Sequence, residues 1–506
     1  MTAGQLIDEH GRQIYRLRPG TKLAEFAVSN NFMDVIVGPV GSGKSVVCCL
    51  RLMRHAQEQR PSPVDGLRYS RFFVARNTYP DLRRTTIRTW LETFPEEVYG
   101  RFYWGQPPSH RIAFGDVRME VDFLALDKPE DIRKLRSGEY SGGWFNEVQY
   151  IPVELVDEGQ SRVDRYPKLI HGGATWSGVI CDANAPDEDH WLAMRTGMVD
   201  PPAGLSQDER VQYEWPAEWG LFIQPPALIE HLDANGNVER YSLNPDAENL
   251  ENLKALYYQR QIVGKRKAWI DSRMMVRCVL LVDGDPVYPM FRREFHVAPQ
   301  ALEPVLGPGR EVRMWLDFGR SPAALFAQEI NGRVFVQHEL VGFNEAATSF
   351  APRVKRFLEQ TYPGCRLIVH GDPKGQDRGQ ATDQTPFEVF AANGMPVNPS
   401  SNHITTRVEA VSFALNDNPG GINRWVFSPR CRTLVVGLAG RYCLEKDPDS
   451  GELKPTKNKY SHVCNALEYG ALSLGEGRRM IGLPAGGTKA PVQTRMRRGG
   501  ARRRVW

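Results

Sequence analysis

Cysteine is scarce in this chain, at eight in 506 residues. Cys48 and Cys49 adjoin, the other six are scattered, and no Cys-x-x-Cys pair occurs. That argues against a disulfide framework and a zinc site, and it fits a reducing compartment. No run of about 18 apolar residues exists, so no membrane span is expected. The opening MTAGQLIDEHGRQ is polar and lacks the apolar core of a secretory signal. Neither sign of charge dominates: 64 Lys and Arg stand against 60 Asp and Glu, a net charge of +4. That balance alone does not call for nucleic acid. Repeats at a solenoid period are also missing. What remains is an ordinary globular composition, 41% hydrophobic and 25% charged, which excludes a disordered chain, a collagen and a coiled-coil rod. Single cores stop growing near ~250–300 residues, so two domains or more are expected.

Charge is unevenly placed. The last 18 residues, KAPVQTRMRRGGARRRVW, hold one Lys, six Arg and no acid. Such a block is expected to be disordered and drawn to phosphate, or to serve only as a solubilising end.

Apolar periodicity gives an α/β reading. MDVIV (33–37) reads as a strand, GPVGSGKS as a loop, and SVVCCLRLMRHAQEQ as a helix. Further strands are expected in Phe72–Arg76, Val179–Cys181, Arg313–Phe318, Arg333–Glu339 and Cys365–His370, and a late helix over Val463–Leu474. The turn-rich stretch from Pro201 to Asp283 contains one helical pattern, NLKALYYQRQIVGKRKAW, and reads as a connecting subdomain. The boundaries are 1–245, a connecting 246–284, a second domain at 285–480, and the basic tail at 481–506.

Gly38-Pro-Val-Gly41-Ser42-Gly43-Lys44-Ser45 satisfies the phosphate-loop pattern GxxxxGK[ST] in full. Glycine lets the backbone turn its N–H groups toward phosphate oxygens, Lys44 offers a point charge, and Ser45 offers a hydroxyl to Mg²⁺. The alternative is a Gly-rich turn with a surface lysine. Nucleotide hydrolysis also needs a carboxylate for water. Glu147 in Gly142-Gly-Trp-Phe-Asn146-Glu147 is the candidate, or else an ordinary exposed glutamate. Asn146 stands where an aspartate usually does and brings no charge. Asp182-Ala-Asn184-Ala-Pro follows a strand, where Asn184 either senses a γ-phosphate or forms an Asx turn. Arg76 ends a strand, as a charge for a phosphoryl transition state or as a solvated residue.

In the second half, Asp317 and Asp372 both end strands beside glycine. Strand-end acids can converge on divalent ions, although aspartate is also common turn chemistry. Asn465 and Glu468 stand three apart on one helical face and are candidates for a third ligand.

Together these motifs resemble the large terminase subunit of tailed bacteriophages, in family order from about Arg18 to Leu474. The resemblance is carried by the phosphate loop, Arg76-Asn-Thr with Leu82 and Thr85-Thr86, Leu135-Arg-Ser, Asn146-Glu147 and Ser161-Arg-Val-Asp-Arg-Tyr-Pro. Asn184-Ala-Pro with His190-Trp191, Pro286-Val-Tyr-Pro-Met-Phe, Leu316-Asp317-Phe-Gly, His370-Gly-Asp372-Pro and Ser461-His462-Val continue it. The resemblance implies a P-loop ATPase domain of the additional-strand type followed by an RNase H-like nuclease domain. It implies that Lys44 and Ser45 bind ATP·Mg²⁺ and that Glu147 activates water. Asn184 would couple phosphate state to motion, and Arg76 would reach a neighbouring subunit's ATP. Asp317 and Asp372 would hold nuclease Mg²⁺ or Mn²⁺. The implied partners are double-stranded DNA, the portal of a procapsid, a small terminase subunit and sister copies in a ring, in the host bacterial cytoplasm. The chain departs from the family at Asn146 and at Asn465, where many members carry aspartates. Rival readings are a nucleotide kinase or metabolic ATPase, and a nucleotide-binding capsid or portal-associated protein.

Overall fold

The computed structural model describes residues 17–201, 210–233, 238–280, 284–319, 321–377, 384–447, 451–482 and 494–495. The chain divides into two compact units, Met1–Leu281 and Val282–Trp506. No described helix is long and apolar enough to cross a membrane.

The first unit is built on an eight-stranded sheet in the order β3-β4-β5-β2-β6-β7-β1-β8. Its strands are β1 (Met33–Val37), β2 (Arg68–Arg76), β3 (Phe102–Tyr103), β4 (Ser109–Phe114), β5 (Val117–Ala125), β6 (Gly142–Phe145), β7 (Gly178–Ala183) and β8 (Trp219–Ile223). All pairs from β5 to β8 are parallel, and β3 and β4 add an antiparallel edge. Strands covered on both faces need apolar residues in both phases of the pleat. So Phe72 and Val74 enter one core cluster, and Phe73 and Ala75 enter the other. β7 lies between β1 and β6, which is the additional-strand arrangement. It brings the ends of the phosphate-loop strand, the Asp182 strand and the Glu147 strand to one edge. Helix α2 (Lys44–Glu58) follows the loop, and helix α1 (Lys22–Val28) precedes β1. Arg51 of α2 and Asp34 of β1 form a fully buried ion pair at 2.5 Å, and Arg51 also donates to the Phe26 carbonyl. This fixes the helix against the strand that feeds the loop.

Residues 246–280 lie in the first unit. The helical pattern expected across 252–269 is broken into Tyr257–Gln261 and Lys267–Arg273. Leu256 and Gly264 adopt φ of 63° and 72°, a left-handed backbone that interrupts any continuous helix. The strands β9 (Leu228–Leu232) and β10 (Val238–Leu243) form a separate antiparallel hairpin.

The second unit carries a short β11 (Asp285–Pro286), then β12 (Glu311–Asp317), β13 (Ala323–Ile330), β14 (Arg333–Val341), β15 (Arg366–Gly371), β16 (Asn398–Pro399) and β17 (Trp425–Phe427). The sheet order is β16-β15-β12-β13-β14-β17, with Thr494–Arg495 also pairing β15. β12, β13 and β14 form an antiparallel meander, and β15 and β16 run parallel beside β12. This is the RNase H-like topology. The helix Lys459–Ser473 packs on β12. A Cβ at its Gly470 would meet Trp315 ring atoms at 2.1 Å, so only glycine permits this approach.

Candidate functional site

In the first unit the phosphate loop turns between β1 and α2. Gly41 and Gly43 hold φ of 76° and 88°, which other residues adopt only under strain. Gly38 sits against Gln224, whose Oε1 would lie 1.9 Å from an added Cβ. Partners remote in sequence support the loop. Ser42 Oγ donates to Gln224 Oε1 at 2.7 Å, and Gln224 Nε2 donates to Glu248 at 2.8 Å. Asn249 Nδ2 donates to the Gly41 carbonyl at 2.8 Å, and the Val40 N–H donates to the Arg273 carbonyl at 3.0 Å. Gln224, Glu248, Asn249 and Arg273 carried no motif that could have announced this. A narrow recess beside Gly43 has both apolar and polar residues in its lining, among them Leu23, Leu50, Glu248 and Asn249.

Lys44 is buried. Its Nζ donates to the Gly38 and Pro39 carbonyls at 2.9 and 2.6 Å and to Asn184 Oδ1 at 3.3 Å. Burial lowers its pKa, and the charges of Glu147 and Asp182 oppose that. Glu147 has φ 51° and ψ 56°, at the start of a 3₁₀ turn. A left-handed backbone at a non-glycine residue is uncommon and concentrates at functional positions. Its Oε2 accepts from Gln149 Nε2 at 2.7 Å and Asn184 Nδ2 at 3.3 Å. Asn184 therefore bridges Lys44 and Glu147. The Arg76 guanidinium lies 3.8 Å from Glu147 Oε1 and donates to Asn146 Oδ1 at 2.9 Å. So Lys44, Ser45, Arg76, Asn146, Glu147 and Asn184 all meet at one sheet edge.

One residue at this edge had no role in the sequence reading. Asp182 is fully buried, and Ser45 Oγ donates to its Oδ2 at 3.2 Å. Asn146 Nδ2 donates to both of its oxygens at 3.0 Å, and Trp144 Nε1 donates to Oδ1 at 2.7 Å. Burial raises its pKa, Glu147 adds to the rise, and the Asn146 hydrogen bond counters it. Its position two residues before Asn184 was the only available signal.

In the second unit, β12 and β15 are parallel neighbours with Leu316 opposite Gly371. Asp317 and Asp372 thus stand side by side at adjacent strand ends, both buried, and the Asp372 N–H donates to the Leu316 carbonyl at 3.0 Å. His462 Nδ1 lies 2.8 Å from Asp317 Oδ2. Burial pushes the Asp317 carboxyl up to about 6, against the lowering effect of the His462 hydrogen bond. A cleft of about 330 Å³ opens over the pair, with Lys374, Arg407 and Lys457 among its lining and Asn465 beside them. Lys374 and Lys457 are exposed beside the pair, whereas Arg407 is buried.

Glu468 does not line this cleft. It is fully buried, accepts from Tyr288 and Tyr442 hydroxyls at 2.9 and 3.1 Å, and lies 3.5 Å from Arg407. Its spacing from Asn465 placed it on the same helical face, but the tyrosines turn its carboxylate into the core. Among the described residues no three His, Cys, Asp or Glu side chains converge as a metal cage. The basic tail beyond 488 lies outside the described residues except for 494–495.

No protein-family model matches the chain, and no curated protein matches it. Solved structures do. The large terminase from a thermophilic bacteriophage, in complex with ADP, is 16% identical with a TM-score of 0.38, covering 90% of this chain and 98% of that one. The HK97 bacteriophage large terminase is 10% identical with a TM-score of 0.41, covering 94% and 97%. The P22 large terminase nuclease domain is 13% identical with a TM-score of 0.29, covering 38% of this chain and 93% of that one. At these identities and TM-scores, any functional reading rests on the residues of this chain.

Proposed function

We propose that this protein is an ATP-driven viral DNA-packaging motor with an endonuclease. One observation carries the reading: a complete phosphate loop with a poised glutamate shares its chain with a buried acid pair under a cationic cleft on an RNase H-like sheet.

The loop N–H groups and Lys44 bind the phosphates of ATP. Glu147 takes a proton from, and orients, the attacking water. Mg²⁺ arriving with the nucleotide would be held by Ser45 and would neutralise phosphate charge. The chemistry of this edge fits it, since a hydroxyl stands against a buried carboxylate there. Asn184 touches both Lys44 and Glu147, so loss of the γ-phosphate is felt by both, and β7 carries the change onward.

In the second unit Asp317 and Asp372, with the Asn465 oxygen nearby, are the groups that would hold Mg²⁺ or Mn²⁺ for hydrolysis of a phosphodiester. Two adjacent carboxylates with a raised Asp317 pKa suit a divalent cation. Lys374 and Lys457, exposed at the cleft, seat the DNA backbone. The working assembly is a ring of sister copies on the portal of a procapsid in the host bacterial cytoplasm, monomeric in dilute solution. Double-stranded DNA and a small terminase subunit are its partners.

The test is Lys44→Ala. ATP turnover falls at least a hundredfold, while cleavage of plasmid DNA with Mn²⁺ stays within about twofold, because the sites lie in different units. Wild-type turnover that ignores added DNA would favour a metabolic ATPase or kinase instead.

A further inference from the structure

We infer that the acid and the amide of the nucleotide–metal site have exchanged strands, so that Asp182 on β7 supplies the carboxylate charge that Asn146 on β6 lacks. The inference rests on the ATP-hydrolysing reading above and names the residue that completes that site.

A divalent cation at a phosphate loop is held through the loop hydroxyl and a nearby carboxylate. The residue before Glu147 is Asn146, which is neutral at any pH. Glu147 itself is engaged by Gln149 and Asn184 amides. The carboxylate that touches Ser45 is Asp182, at 3.2 Å. A serine hydroxyl has one proton to donate and two lone pairs to offer. With its proton directed at Asp182 and one lone pair facing Asn146 Nδ2 at 3.3 Å, Ser45 keeps its other lone pair for a cation.

Asn146 has the contacts of a residue matched to that acid. Its Oδ1 accepts from Thr86 Oγ1 at 2.6 Å and from Arg76 at 2.9 Å. Its Nδ2, with two protons to give, lies 3.0 Å from both Asp182 oxygens and 3.3 Å from Ser45 Oγ. An aspartate at 146 would set a second carboxylate against Asp182 at that distance, where both cannot ionise. One acid and one amide are the combination the contact allows, and the acid is on β7.

A second observation points the same way. Asp182 has 0% exposure, its side-chain hydrogen bonds come from Ser45, Asn146 and Trp144, and Lys44 acts on it through its charge without a direct hydrogen bond. Neutral donors and one lysine not bonded to it compensate this buried carboxylate only in part, and a divalent cation beside Ser45 would complete the compensation. Asp182 acts through Ser45 and by its charge, and so is a positioning residue.

The experiment titrates the fluorescent nucleotide mant-ADP into the full chain, with Mg²⁺ and with EDTA. Wild type binds at least tenfold tighter with Mg²⁺. Asp182→Asn keeps its EDTA affinity and loses most of that enhancement. The double exchange Asn146→Asp/Asp182→Asn returns the acid to β6 and restores it. An Asp182→Asn variant that keeps the full Mg²⁺ enhancement overturns the inference, as does a double variant no better than the single one. If Asp182→Asn fails to fold, Asn146→Asp alone decides. Unchanged or weaker Mg²⁺ enhancement supports the inference, and a tenfold gain overturns it. Wild type that binds no mant-ADP under either condition would refute the ATPase reading itself, a separate outcome.

Discussion

Gly470 tests whether close packing of one helix sets the second site. In an exposed helix interior, Gly→Ala stabilises by about 1 kcal/mol, because glycine loses more backbone freedom on folding. At Gly470 the new Cβ would lie 2.1, 2.4 and 2.6 Å from Trp315 ring atoms, where ordinary contact begins at 3.4 Å. Trp315 is fully buried and cannot swing out. Overpacking a rigid core site costs about 1–3 kcal/mol, and this overlap belongs at the upper end. The overlap outweighs the helix gain, and Gly470→Ala is expected to lose about 2 kcal/mol in urea unfolding. Gly477→Ala is the control. It is the second residue of the four-residue turn Glu476–Arg479 and its nearest neighbour is the flexible end of Leu472 at 3.1 Å, so stability should stay within about 0.5 kcal/mol of wild type. The same displacement moves His462, 2.8 Å from Asp317, and Asn465. DNA cleavage by Gly470→Ala should fall at least tenfold with ATP turnover unchanged. A Gly470→Ala protein as stable as wild type, or one that cleaves normally, would refute the claim that this contact sets the site.

Two further outcomes are expected. Arg76 touches Asn146 and Glu147 of its own chain, so Arg76→Ala should lower kcat about tenfold in dilute protein as well as on procapsids, with KM for ATP little changed; a loss confined to the assembled state would assign Arg76 to a neighbour's site. Burial pushes the Glu468 carboxyl up to about 7 from an ordinary 4.5, so the native state holds this proton more tightly than the unfolded chain. Its stabilising contribution is complete below pH 4.5 and is lost as pH rises through 7, about 3 kcal/mol at the upper limit. Glu468→Gln should flatten that part of the pH dependence of urea unfolding while leaving cleavage within about threefold, and parallel wild-type and variant profiles would count against it.

Local sequence determined a good deal of this protein. The phosphate loop follows from eight contiguous residues, since glycine spacing and a flanking strand and helix are local properties. The strands ending at Arg76, Asp317 and Gly371 were legible because apolar runs bounded by turn residues have few other solutions. Periodicity shows that a strand is buried on both faces; it does not show which strand lies beside it. The order of β6, β7 and β1 does that, and it alone puts Asp182 against Ser45, 137 residues away, and against Asn146, 36 residues away. Gln224, Asn249 and Arg273 reach the loop from segments whose composition suggested only a connection. Helical spacing put Asn465 and Glu468 on one face, yet side-chain direction depends on what each atom meets. Tyr288 lies 180 residues from Glu468 and draws its carboxylate inward, while Asn465 stays in the cleft. Contacts between residues this far apart leave no trace in local composition, so they exist only once the sheets have formed.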